Sequence, residues 1–183
     1  MIYPHLDLRF VSLIAAFWLI LSHGLALLRP GQVQEWARKF PRSKVTGRVI
    51  LIVDAIWALT LVVTMDLGEF SNFRTGLEVV ILAAAYLTIR YVDEFLAVRA
   101  LGIFLLLIAE PMVEAAFLRP EAGRLLLVAL AYALAVMGMI WVMVPYVLRD
   151  QINWARKSKA LWNLAAAAGV VYGGLLAAFA LVS

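Results

Sequence analysis

The sequence predicts an all-α fold, a polytopic integral membrane bundle of six transmembrane helices with a short interfacial amphipathic helix. Three observations carry this. Of 183 residues, 65% are apolar and only 15% charged, where soluble domains carry about a quarter charged residues. Mean hydropathy is +0.94. The apolar residues also fall into runs of membrane length, roughly 20 residues being needed to cross the hydrocarbon core. With no water in that core, each backbone N–H and C=O must be paired within its own segment, which selects helices over open strands. Spans and short connectors consume nearly the whole chain, so residues 1–183 read as a single transmembrane domain without a soluble catalytic or receptor part.

Span one covers about residues 10–28. The residues before it lack the basic start of a secretory signal, and no small-residue cleavage site follows, so this span is expected to stay attached. The connector from Arg29 to Arg48 then holds six of the sixteen basic residues. Within it Val33, Trp36, Ala37 and Phe40 recur at helical spacing, opposite Gln32, Gln34, Glu35, Arg38 and Lys39. A helix with that pattern lies flat on a lipid surface, apolar face down. Five further spans follow at about 49–67, 75–92, 95–117, 125–147 and 161–182. Spans three and four are separated only by a tight polar hairpin around Arg90, Asp93, Glu94 and Arg99.

Orientation follows from the basic residues. With the 29–48 connector inside, Arg90, Arg99, Arg149, Arg156, Lys157 and Lys159 are inside too, leaving only Arg9, Arg74, Arg119 and Arg124 outside. That asymmetry predicts an inner-membrane protein, bacterial by this reading, with both termini outside. The expected partners are the lipid bilayer and anionic head groups on the inner face, met by Trp36, Arg38 and Lys39 and by Trp154, Arg156 and Lys157. These two sets form an echo, Trp36-Ala-Arg-Lys39 and Trp154-Ala-Arg-Lys157. It reads either as a duplicated hairpin or as the composition that any inner interface selects.

Few residues are equipped for chemistry. Absence of cysteine removes thiolate metal sites, thiol catalysis and disulfides. The two histidines, His5 and His23, lie at opposite ends of span one, so no metal or cofactor is expected; an axial His23 on a bound pigment is the alternative to a satisfied core histidine. The serines lack a nucleophile-elbow setting, and nucleic acid is not an expected partner. What remains is a set of intramembrane ionisable groups, each costly in hydrocarbon: His23, Asp54, Glu78 and Glu110, with Glu114 one turn beyond Glu110. Pro111 frees a carbonyl beside Glu110, so Glu110, Glu114 and Glu78 together suggest an ion or proton vestibule; the alternative is a protonated Glu110 bonded within the bundle. His23 and Asp54 sit at equal depth on either side of the first connector and are expected to pair, with Gly24 allowing close approach.

The last span repeats small residues at Ala165, Gly169, Gly173 and Ala177, a face for close helix packing. It serves either the bundle itself or association with a second copy or a membrane partner. The chain is therefore expected to be a non-enzymatic structural or accessory bundle that packs with partner helices. The alternative class is a small cation- or proton-coupled transporter or channel using the intramembrane carboxylates.

Overall fold

The computed structural model describes residues 6–92, 94–121 and 123–182. The described chain forms helices α1 (Leu8–Leu28), α2 (Pro30–Lys39), α3 (Lys44–Thr64), α4 (Arg74–Tyr91), α5 (Leu96–Ala116), α6 (Arg124–Met143), α7 (Tyr146–Arg156) and α8 (Lys159–Val182). Tight turns at Phe40–Arg42 and Gly68–Phe73 precede α3 and α4, and no strand occurs among the described residues. Six helices, all but α2 and α7, are long and apolar enough to cross a membrane. The protein is an all-α, multi-pass membrane bundle.

Local chemistry sets the ends of these helices. Asp7 caps α1 by accepting from the Arg9 N–H at 3.2 Å, and Ser43 caps α3 by accepting from Thr46 at 3.3 Å. These caps satisfy first-turn N–H groups that have no partner within the helix. Capping at Ser43 starts the second span at Lys44, five residues before its apolar run. Pro145 ends the fifth span early, because a residue preceding proline is pushed out of helical geometry: Val144 has φ −130° and ψ 69°. The chain restarts there as α7, a second short amphipathic helix that the apolar pattern alone had left inside span five and its connector.

Carbonyls at helix C-termini are taken up by side chains of neighbouring helices. Arg74 donates to Val63 and Met65 at 3.1 and 2.9 Å, tying the start of α4 to the end of α3. Trp162 Nε1 donates to the Ala26 carbonyl at 2.9 Å, and Arg99 donates to Val142 at 3.3 Å. Each bond settles a carbonyl of a last helical turn, which has no partner within its own helix.

The principal packing pairs are α1 with α8, α5 with α6, α3 with α5 and α3 with α4. Alanine and glycine dominate the buried positions, including Ala16, Ala97, Ala100, Ala109, Ala115 and Ala131. Phe17 and Trp18, by contrast, are 66% and 67% exposed. This is the distribution expected where lipid solvates the large apolar side chains and small residues let backbones approach. Gly102 and Gly138 face each other across α5 and α6: a Cβ at Gly138 would lie 2.7 Å from the Gly102 carbonyl oxygen. On α8, a Cβ at Gly173 would meet the Ala16 carbonyl of α1 at 3.1 Å, and one at Gly169 would overlap the His23 ring.

Both copies of the Trp-Ala-Arg-Lys echo lie at the end of a short amphipathic helix, α2 or α7, and these two helices pack on each other. Their surroundings then diverge, since α8 takes α1 as its main partner whereas α3 takes α5.

Candidate functional site

At the basic end of the bundle, α2 carries Glu35 between Arg38 and Lys39, with ion pairs of 2.9 and 3.1 Å. Hydrogen bonds from Arg38 and Lys39 hold the Glu35 carboxyl down from 4.5 to about 2. Because this pKa is depressed, the attraction is present above the ordinary value and is lost only as pH falls toward 2. The charge pattern of α2 is therefore constant through the neutral range. Val33 and Ala37 are half-buried and Trp36 is 64% exposed, so most of the expected apolar face is open. Phe40 departs from it. It belongs to the turn after α2 and is buried with Ala97 and Val98 of α5 and Leu148 of α7. The connector is thus anchored in protein at one end and open at the other. Trp154 on α7 is 56% exposed, and Arg156 is half-buried.

The expected His23–Asp54 pair does not form. His23 Nδ1 lies 3.0 Å from the Leu19 carbonyl and 3.1 Å from Ser22 Oγ, with the ring against Gly169 of α8. Asp54 is 2% exposed, and neither carboxylate oxygen has a hydrogen-bond partner among the described residues. Its neighbours on α3, Gly47 and Leu51, pack against Leu96 and Ala100 of α5. Equal depth was insufficient because lateral neighbours decide contact: α1 goes to α8 and α3 to α5. Gly24 plays no part in close approach, since a Cβ there would meet nothing within 4 Å.

Glu110 and Glu114 do come together, their carboxyls sharing a hydrogen bond. They line a groove of about 530 Å³ between α5 and α6, walled by Val113, Ala131 and Tyr132, and α5 continues as helix through Pro111 beside them. The second oxygen of Glu110, Oε2, is buried without a partner. Glu78 does not join them. It sits on α4, whose principal partner is α3, outside that groove.

On α8, Gly169 and Gly173 are covered by α1, while Ala165 remains exposed and Ala177 is half-buried. Three close-packing glycines within spanning helices escaped the sequence reading: Gly47, Gly102 and Gly138. Their signal was a glycine inside a span, which is weak without a repeat to frame it. Among the described residues no group of three or more His, Cys, Asp or Glu is placed to hold a metal ion. In the expected hairpin between spans three and four, Asp93 lies outside the described residues, as does His5. Phe95 there adopts a left-handed backbone with φ 55° and opens α5.

These features define a polytopic helical membrane protein with an apolar, alanine-lined interior. The family model described as Cell division protein CrgA matches residues 111–180, which is less than half of the chain. That stretch runs from the Pro111 turn of α5 through α6 and α7 into α8. No curated protein and no solved structure matches. Within the matched stretch α6 and α8 touch through Tyr172, whose hydroxyl donates to the Leu126 carbonyl at 2.8 Å. The main partners of these two spans, α5 and α1, lie largely or wholly outside it.

Proposed function

We propose that this protein is a non-catalytic accessory bundle of a bacterial cytoplasmic membrane, acting as one domain over residues 1–183 and packing with partner helices of the cell-division machinery. The observation that carries the reading is the similarity of residues 111–180 to the CrgA family, whose description is that of a cell division protein. The interior is consistent with helix packing, being built largely from small apolar side chains around the buried Ser12 and Asp54. A fluorescent fusion at native expression should concentrate at the division site, and crosslinking in membranes should capture division proteins. Uniform distribution over the envelope with no such capture overturns the reading.

In the proposed orientation both termini face out, and the 29–48, 90–99 and 149–160 connectors face in, with Trp36, Arg38, Lys39, Trp154, Arg156 and Lys157 meeting anionic head groups. The chain has no native cysteine, so single cysteines introduced as Ser71→Cys and Ser158→Cys report each face cleanly. An impermeant thiol reagent applied to intact cells should label the first and spare the second. Labelling at position 158 reverses the threading.

A second reading rests on the Glu110–Glu114 pair, two carboxyls that meet beside Pro111 in an open groove between α5 and α6. It makes the protein a proton or cation path. Proton flux into liposomes that disappears in Glu110→Gln supports it, and flux no greater than in empty liposomes removes it.

A further inference from the structure

The groove between α1 and α2 includes Trp36, which the function proposed above sets against anionic head groups, and the inference below rests on that placement of the inner face. It has a volume of about 390 Å³ and is walled by Trp18, Leu21 and Leu25 of α1 and by Gln32, Val33 and Trp36 of α2. None of these side chains is fully buried. The bundle approaches α1 from elsewhere, α8 packing on it through Ala16, Ile20 and His23.

We infer that this groove is a binding site for one anionic phospholipid of the leaflet on the basic side, with an acyl chain along Trp18, Leu21 and Leu25 and its phosphate near Arg29. Length decides between a lipid and a partner helix. From Trp18 to Leu25 is seven residues, roughly 10 Å along a helix, which fits within one leaflet of a hydrocarbon core about 30 Å thick. A spanning helix needs the full thickness, and its path along this face is blocked at the boundary where α2 folds back. An acyl chain ends there, at its glycerol. Charge selects the head group. Arg38 and Lys39 are engaged by Glu35, whereas Arg29, between α1 and α2, is exposed and makes no ion pair among the described residues. The Gln32 carboxamide adds a neutral donor on the groove wall.

The test uses the full chain extracted from membranes enriched equally in phosphatidylglycerol and phosphatidylcholine, with bound lipid counted by native mass spectrometry. One phosphatidylglycerol per chain is expected. Leu21→Trp, at an exposed position, fills the groove and should reduce retention about tenfold, as expected for displacing roughly two methylenes from contact. Arg29→Gln should keep a lipid but lower the preference for phosphatidylglycerol about fivefold, the factor carried by one basic residue near an anionic surface. Val79→Trp on the exposed side of α4 is the control for ordinary annular lipid, and helical content by circular dichroism confirms that each variant folds. Equal retention in Leu21→Trp and Val79→Trp overturns the site. So does release of a protein partner, rather than a lipid, by Leu21→Trp.

Discussion

Gly47→Ala is expected to destabilise the bundle by about 1 to 3 kcal/mol, the usual range for forcing extra volume into a packed interface. The added methyl would sit 2.6 Å from the Ala97 nitrogen and 2.9 Å from the Leu96 carbonyl carbon, both backbone atoms at the start of α5. Backbone cannot rotate away as a side chain can. The α3–α5 contact must therefore open, and the adjacent cluster of Leu51, Leu96 and Ala100 opens with it. Gly24→Ala provides the internal comparison, because it meets nothing within 4 Å and gains about 0.5 to 1 kcal/mol from the better helix propensity of alanine. Thermal unfolding in lipid nanodiscs should show the two single-methyl variants moving in opposite directions. A neutral Gly47→Ala would mean that α3 and α5 are not in backbone contact.

The contrast between Gly24 and Gly47 also shows what the chain reveals of itself. Six spans were legible because burial in hydrocarbon forces every backbone group into helix, a constraint that acts on each run separately and leaves a one-dimensional signature. Which helix neighbours which leaves a far weaker trace, since lipid and protein interiors are both apolar and solvate the same side chains. The Gly169 and Gly173 repeat on α8 could be read because several small residues recur at one spacing. Single glycines such as Gly102 and Gly138, each meaningful only through its partner, could not. Depth was likewise readable and lateral position was not. Glu110 and Glu114 share one helix and meet, whereas His23 and Asp54 share only a depth and do not. Phe40 was misplaced for the same reason, its helical spacing being correct while its cover came from α5 and α7.

Asp54→Leu is expected to stabilise the protein by about 1 to 3 kcal/mol, because the native side chain leaves two carboxylate oxygens unpaired in an apolar helix interface and the replacement removes that desolvation cost. The direction is opposite to that for a partnered aspartate, whose removal strands the partner. Thermal unfolding of Asp54→Asn and His23→Gln, singly and combined, separates the two cases. With His23 held by Leu19 and Ser22 on α1, and Asp54 buried on α3 with Gly47 and Leu51, the effects should add within about 0.5 kcal/mol. Larger coupling would mean that the two side chains meet. A stability gain in Asp54→Leu raises the question of what keeps the acid there, and the same variant supplies the answer. Residues retained at a cost in stability concentrate where function requires them. A more stable Asp54→Leu protein that no longer captures its partners in membranes would place Asp54 in the working part of the bundle, and one that captures them unchanged would make its burial incidental.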